Sequence, residues 1–227
     1  MKSQFSILVL AFLSQLFWSQ AALTQANRMP PCTVSEDSIF KEVRICGKSR
    51  QGSLTKADLT VAGFAIGKST LEDVARQFVG SSRFKLAKEG EASTGICLKT
   101  KGGDAVVFAS SDLVDPRGID SVFIAAAKTF ETQGANCLEV ANLQDGPSTK
   151  SGIRLGIEKE RLLAILHIPP IKEATFAVDY ETSPDKALWV AEESKVGGKG
   201  WVAMSGAYGG FRNGRLRWIV FYGGVSG

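Results

Sequence analysis

The sequence predicts an α+β fold of two tandem units, each a helical segment packed on a short antiparallel sheet. One stretch occurs twice, as GFAIGKSTLEDVARQFVG at residues 63–80 and as GIRLGIEKERLLAILHIP at residues 152–169. After each copy, apolar and polar residues alternate, which indicates half-buried strands. Because each helical pattern precedes a run of strands, this order favours α+β over a wound parallel sheet.

The chain is predicted to be organised in five consecutive parts. A signal peptide precedes a segment that carries two cysteines, and a linker rich in turn residues separates the two units. The predicted boundaries are 1–26 for the signal peptide, 27–57 for the N-terminal segment, 58–127 for the first unit, 128–150 for the linker and 151–227 for the second unit.

The N-terminus has the pattern of a secretory signal peptide. Lys2 precedes an apolar run that ends near Trp18, and small residues follow, with Ala21 or Ala26 as the last residue before cleavage. The run is shorter and more interrupted than the stretch of about 20 apolar residues that spans a membrane. We therefore expect an exported protein, periplasmic or secreted, with no transmembrane segment.

Neither nucleic acid nor nucleotide is predicted as a partner. Without Lys2 the chain carries 26 basic and 23 acidic side chains, and the basic ones are scattered rather than clustered. AGFAIGKST, residues 62–70, fits a loose phosphate-binding loop between a strand and a helix. The second copy has Ile157 and Glu158 in place of Lys68 and Ser69, yet it keeps both glycines. This favours a tight turn, with Lys68 in solvent.

The first unit is predicted to begin with a capped helix. Ser69 and Glu72 have the spacing of a capping box. The segments RFKL, GICLKT, AVVFAS and GIDSVFIAA that follow are predicted strands. The apolar face expected to pack on them comprises Leu71, Val74, Ala75, Phe78 and Val79.

The second unit contains all the tryptophans that remain after the signal peptide. In the last predicted strand, Leu216, Trp218, Val220 and Tyr222 alternate with Arg217, Ile219 and Phe221, so both faces are largely apolar. One face must pack on the helix. The other is covered either by this chain, through the opposite unit or residues 28–57, or by a partner.

Four cysteines follow the signal peptide, and an even number in an exported chain favours disulfides over buried free thiols. Three pairings are possible, and proximity in sequence favours Cys32–Cys46 with Cys97–Cys137. No Cys-x-x-Cys motif occurs and the chain has one histidine, so no zinc site is predicted.

No catalytic constellation or cofactor is predicted. His167 matches Phe78 in the first copy and has no second histidine or nucleophile near it in the sequence, which favours a packed or helix-end residue. Adjacent acidic pairs such as Glu72–Asp73 and Glu192–Glu193 do not form a paired-carboxylate site by themselves, because neighbours in a strand face opposite sides. We therefore predict that the protein is not an enzyme.

The repeated GFAIGKSTLEDVARQF and GIRLGIEKERLLAIL, together with FRNGRLRWI near the C-terminus, resemble the β-lactamase inhibitor protein family and, more broadly, outer-membrane assembly lipoproteins of the SmpA/OmlA/BamE type. The resemblance covers most of residues 58–127 and 148–224. It implies that two units form a concave, aromatic-rich surface that grips an enzyme, with a hairpin of the first unit inserted into the active site.

In this resemblance CLKTKGGDAVVF, residues 97–108, corresponds to the inserting hairpin, Cys97 to the family's strand cysteine and Asp104 to its inserting aspartate. The sequence thus predicts an exported protein-binding module, in one interpretation an enzyme inhibitor. The alternative is a structural or assembly component of the cell envelope. The residues predicted to contact a protein partner are Lys101, Gly103, Asp104, Trp189, Trp201, Tyr208, Phe211, Trp218 and Tyr222.

Overall fold

One large sheet organises the part of the chain that the structure describes. The structure is a computed structural model, and it describes residues 48–49, 52–88, 91–111, 118–143, 145–182 and 202–226. The chain divides into two units, residues 1–33 and 34–227, and every described residue belongs to the second. The predicted signal peptide, Cys32, Cys46, Trp189 and Trp201 therefore lie outside the described residues.

Within the described residues the sheet contains nine strands. They are β1 (Lys48–Ser49), β4 (Arg83–Lys88), β5 (Glu91–Lys99), β6 (Asp104–Ser111), β7 (Ser121–Ala126), β8 (Leu138–Glu139), β9 (Thr175–Thr182), β10 (Val202–Arg212) and β11 (Arg215–Ser226). The other elements are β2 (Thr60–Val61), β3 (Phe64–Ala65), α1 (Leu71–Gln77), α2 (Ala127–Glu131), α3 (Lys159–Ile165) and a 3-10 turn (Ala141–Leu143). The order of the strands in the sheet is β1-β9-β10-β11-β7-β6-β5-β4, and β8 pairs with β5 beside this path. The strands β2 and β3 form a separate hairpin.

The predicted fold class is wrong, because the described chain is mostly β and is not divided into two helix-and-sheet units. The strands of the two predicted units, called here the two halves, belong to one sheet. Strand β7 pairs antiparallel with β11, from the pair Ser121 and Tyr222 to the pair Ile124 and Ile219. An edge strand exposes unpaired N–H and C=O groups, and pairing the two edges satisfies them. The helices are short, with five to seven residues each.

One side of the sheet, called here the helix side, carries the larger core. Leu71 and Val74 of α1 and Leu162 and Leu163 of α3 pack into the same buried cluster as alternate residues of the strands. The ring of Phe64 lies edge-on to that of Phe108, with centroids 5.3 Å apart. Because this cluster includes Ile124 of β7 and Ile219 and Phe221 of β11, the core is continuous across the junction of the two halves.

The opposite side, called here the outer face, is partly covered by the chain itself. Phe130 of α2 is fully buried against Ala105, Val107 and Ala125 on the outer face of β6 and β7. Cys137, just before β8, forms a disulfide with Cys97 of β5, with their Cα atoms 4.5 Å apart. The stretch predicted as a linker thus contains all but the first residue of α2, the 3-10 turn and β8, and the disulfide fixes it to the sheet. The predicted Cys97–Cys137 pairing is confirmed.

The N-cap of helix α1 lies one residue after the predicted N-cap, Ser69. The N-cap is Thr70, whose side chain accepts from the Asp73 backbone N–H while the Asp73 carboxylate accepts from the Thr70 N–H. The Ser69 hydroxyl instead accepts from the Ala65 N–H in the preceding turn, and Glu72 pairs with Arg83. The expected apolar face is correct for Leu71, Val74 and Phe78, which are buried. It is wrong for Val79, which follows the helix and is 85% exposed.

We therefore expect Thr70→Ala to lower the free energy of unfolding by about 1 kcal/mol, the usual cost of a lost N-cap. Chemical denaturation of the purified variant measures this difference. Glu72→Ala is the matched control, because its ion pair with Arg83 is exposed and exposed pairs contribute about 0–1 kcal/mol. A larger loss for Glu72→Ala than for Thr70→Ala would restore the originally predicted cap.

Candidate protein-binding surface

Aromatic side chains of several strands lie on the outer face of the sheet. We call Phe84, Phe123, Tyr208, Trp218 and Tyr222 the aromatic face. Phe84, Phe123 and Tyr208 pack against the buried outer cluster, and Trp218 is a member of it. The Tyr208 ring is 5.9 Å from the ring of Trp218 and 6.1 Å from that of Tyr222, measured between centroids. The face thus draws on residues of both halves.

Glycines opposite three of these aromatic residues give the rings room against the backbone. Phe84 pairs with Gly95, Tyr222 with Gly206 and Trp218 with Gly210 across neighbouring strands. A Cβ atom at Gly95 would lie 3.2 Å from Cε1 of Phe84. Larger overlaps would occur between Gly206 and the Tyr222 hydroxyl, and between Gly210 and the Trp218 indole nitrogen. The rings therefore lie close over the strands.

Burial divides the aromatic face into a fixed part and an accessible part. Trp218 is 1% exposed and is among the largest fully buried side chains. Burial also raises the pKa of the Tyr208 hydroxyl to about 12. Tyr222 is half-buried. Met204 lies four residues before Tyr208 in β10, on the same face of the strand, and is 38% exposed. Phe84 and Phe123, on β4 and β7, are half-buried as well. We use the term accessible part for the region on β10 and β11, which comprises Tyr222, the edge of Tyr208 and the neighbouring Met204.

The predicted partner-contact residues do not all lie on this face. Phe211 is on the helix side, where its ring is 5.5 Å from that of Phe176 and beneath the Lys159 ammonium group. Trp218 is buried, so the exposure on which its predicted role in binding depends is not met. Trp189 and Trp201 lie outside the described residues. Tyr208 and Tyr222 remain beside each other on the outer face.

A β-bulge changes the predicted alternation of β11. Gly210 pairs with Trp218 but Phe211 pairs with Leu216, so Arg217 is the extra residue. Leu216 therefore packs on the helix side, although the alternation placed it on the same side as Trp218. The three glycines of β10, within GAYGG, are the sequence signal for an irregular strand here.

The turn between β5 and β6 exposes Lys101 and Gly102 at its tip, while Gly103 has a φ of 89°. Asp104 is not at this tip. It is half-buried at the start of β6, opposite Ala126, and lines a small cavity with Thr129, Arg217 and Trp218. The geometry thus differs from the inserting role that the resemblance implied for Asp104.

Asp104 lies in an environment that disfavours its charge. Burial raises its pKa, and the nearby charge of Arg217 offsets part of the rise. Within the described residues its carboxylate accepts no hydrogen bond. A carboxyl whose pKa is higher in the folded than in the unfolded state makes folding less favourable once the pH exceeds both values.

We therefore expect Asp104→Asn to raise the melting temperature slightly at pH 7, because both states of the wild type are then ionised and the folded state bears the desolvation cost. The difference should shrink as the pH falls through the folded pKa and vanish below about 3.9, the unfolded value. Thermal unfolding between pH 3 and pH 8 measures it. A wild type more stable than Asp104→Asn at pH 7 would contradict the assignment.

The loop that resembled a phosphate site uses its own backbone donors. The N–H of Gly67 donates to Ile119 O at 2.8 Å, and those of Lys68 and Ser69 donate to Ala65 O. The Lys68 side chain is exposed, as expected. His167 is exposed just after α3, in the left-handed region with a φ of 52°. Among the described residues, no group of three or more His, Cys, Asp or Glu is arranged to hold a metal ion.

Comparisons with known proteins identify no relative of this chain. No family model matches the chain, and no similar curated protein or solved structure was found. The described part of the chain contains no helix of the length and apolarity that crossing a membrane requires.

Proposed function

We propose that this chain is an exported, non-catalytic protein-binding module that holds a protein partner on the outer face of its sheet. The observation that carries the proposal is the accessible part of the aromatic face. Met204 and Tyr222 reach solvent on the outer face. The Tyr208 ring contacts those of Tyr222 and of the buried Trp218. Aromatic residues dominate binding energy at protein interfaces, and methionine adapts its shape to a partner.

Rigidity favours this surface as a binding site. The Tyr222 ring lies over Gly206 of the paired strand, so few rotamers of its side chain remain to be lost on binding. Each immobilised flexible side chain costs about 0.5–1.5 kcal/mol on association, and a preorganised surface avoids much of that cost. Tyrosine supplies large contact area at a low entropic cost.

Export is supported by the N-terminal pattern and by the Cys97–Cys137 disulfide, since disulfides persist in oxidising compartments. We propose a periplasmic or secreted location. Inhibition of an enzyme, as in the β-lactamase inhibitor family, is the narrower proposal, and it depends on the sequence resemblance. The internal repeat is proposed on the same basis. It is supported by matching hydrogen bonds, because Gly67 N–H and Gly156 N–H donate at 2.8 Å to Ile119 O and Leu216 O.

Two exposed apolar residues allow a matched test. Met204 lies on the outer face, whereas Val79 follows α1 on the helix side, and both side chains are exposed to solvent. We expect immobilised wild type and Val79→Glu to capture the same protein from the fluid of the export compartment. Met204→Glu should lose it, because a carboxylate at an apolar contact stays unpaired.

The expected loss is about 2 kcal/mol or more, the range of an interface hot spot. Affinity measured with the captured protein provides the number. Equal affinity of Met204→Glu and wild type, with both variants folded, would show that the partner binds elsewhere.

A further inference from the structure

Strand β4 forms one end of the sheet and is paired on one side only among the described residues. Its partner is β5, from the pair Arg83 and Ile96 to the pair Lys88 and Glu91. No backbone group of β4 bonds to any other described part of the chain. An edge strand of this kind presents N–H and C=O groups to which another strand can pair.

The hydrogen bonds of β5 determine which backbone groups face β4. At the turn from β5 into β6, the Thr100 N–H donates to the Asp104 carbonyl oxygen at 2.8 Å. Because bonded pairs alternate along an antiparallel ladder, Ile96 also directs its N–H and C=O at β6. The neighbouring Gly95 therefore directs its own groups the other way, at β4.

Two residues of β4 consequently direct their backbone groups away from the sheet. Gly95 pairs with Phe84, so Phe84 exchanges hydrogen bonds with β5. Its neighbours Arg83 and Lys85 alternate with it and point their N–H and C=O groups outward. These are the groups that an added strand would bind.

The side chains of β4 form a basic row and an apolar row. Arg83 and Lys85 are exposed on the helix side, where Arg83 contacts Glu72 of α1 in an exposed ion pair. Within the described residues Lys85 forms no ion pair. Phe84 and Leu86 alternate with them on the outer face, half-buried and buried. The edge thus combines free backbone groups with positive charge on one side.

Strand pairing imposes the complementary pattern on whatever binds this edge. Side chains directly opposite each other in paired strands lie on the same face and interact. An added strand therefore fits best with acidic residues opposite Arg83 and Lys85 and apolar residues opposite Phe84 and Leu86. A second copy of β4 is disfavoured, because its outward backbone groups belong to the same basic residues and would set like charges opposite each other.

We propose that the outer edge of β4 accepts an extended segment of a partner protein in which acidic and apolar residues alternate. The segment exchanges backbone hydrogen bonds with Arg83 and Lys85, and its carboxylates face their side chains. Main-chain bonds supply affinity in such strand addition, and alternate side chains supply specificity. Because β4 has six residues, about six residues of the segment can pair. The edge is separate from the accessible part on β10 and β11, so this interface goes beyond the proposed function and does not depend on it.

Blocked hexapeptides test the edge of the mature protein without the partner. The probes are Val-Glu-Val-Glu-Val-Glu, its lysine analogue Val-Lys-Val-Lys-Val-Lys, and Val-Val-Val-Glu-Glu-Glu, which lacks the alternation. In calorimetric titration we expect the alternating acidic peptide to bind with a Kd on the order of 100 μM, and the other two at least about tenfold more weakly.

Hydrogen exchange locates the bound peptide. At saturating acidic peptide, exchange of the outward Lys85 backbone N–H with solvent should slow at least about tenfold, because the peptide then accepts from it. Exchange of the Phe84 N–H, which already bonds to β5, should change less than about twofold. Slowing at Phe84 without slowing at Lys85 would contradict the pairing.

Variants of Lys85 separate charge from backbone pairing. Lys85→Glu should weaken the acidic peptide about tenfold and tighten the lysine peptide by a similar factor, because opposite charges become like charges. Lys85→Pro removes the outward N–H without removing a bond to β5 and should lose both peptides. The matched control is Lys172→Glu, the same charge change at an exposed site after α3, which should leave each Kd unchanged. Circular dichroism checks that each variant is folded.

Four outcomes would overturn the proposal. They are equal binding of all three peptides, binding of the acidic peptide that survives Lys85→Pro, no binding of any peptide, and association of two copies that Lys85→Pro abolishes. With no binding, the basic residues would only protect the edge against aggregation. In the last case a second copy would occupy the edge.

Discussion

Replacing Trp218 with alanine is expected to lower the free energy of unfolding by about 3–5 kcal/mol, the range measured when large buried aromatic side chains are truncated. Trp218 is 1% exposed, contacts the Tyr208 ring edge-on and occupies the space above Gly210. Because the rigid sheet cannot collapse into the space left behind, most of the lost contacts stay unfilled. Urea denaturation of wild type and variant measures the difference.

The control for this prediction is Val79→Ala, an exposed truncation that should change stability by less than about 0.5 kcal/mol. If Trp218→Ala unfolded at the same urea concentration as wild type but lost its partner, Trp218 would be a binding anchor in solution. The packing of the outer face described above would then be wrong.

Removing the Cys97–Cys137 disulfide is expected to cost about 4 kcal/mol, because the bond closes a loop with a sequence separation of 40. The cross-link restricts the unfolded chain and also fixes the segment after α2 to the outer face. Cys97 is 1% and Cys137 6% exposed, so the Cys97→Ala/Cys137→Ala variant also loses buried sulfur contacts. Chemical denaturation of the oxidised proteins gives the difference.

The matched control is Cys32→Ala/Cys46→Ala, which leaves the described disulfide intact. Reducing this control separates the loss of the cross-link from the loss of the sulfur atoms, since its remaining cysteines are then Cys97 and Cys137 alone. Equal free energies of unfolding of the oxidised and reduced control would show that the disulfide contributes nothing to stability.

Local features of the fold were predictable from the sequence. The predicted strands AVVFAS and GIDSVFIAA match β6 and β7, and the last predicted strand, which contains Trp218, matches β11. The turn before β11 has Asn213 and Gly214 with φ values of 53° and 70°, the conformation that Asn-Gly favours in a tight hairpin. The Cys97–Cys137 pairing was found from compartment and proximity. These features depend on a few neighbouring residues, which is why patterns reveal them.

The features that the sequence did not reveal are non-local. Periodicity identifies β7 and β11 but not that they pair with each other, so one sheet was mistaken for two. The bulge at Arg217 moves Leu216 to the other side of the sheet, and alternation alone carries no sign of it. The burial of Trp218 depends on residues from both halves. The Asp104 cavity forms only where β6, α2 and β11 meet.

The central claim is that a protein partner docks on the accessible part of the aromatic face. The most direct measurement places a photoreactive phenylalanine analogue at position 204 or at position 79 and irradiates the mature protein with its captured partner. We expect a covalent adduct from position 204, which lies on the same face as Tyr222 and Tyr208, and none from position 79 beyond α1. An adduct from position 79 with none from position 204 would contradict it.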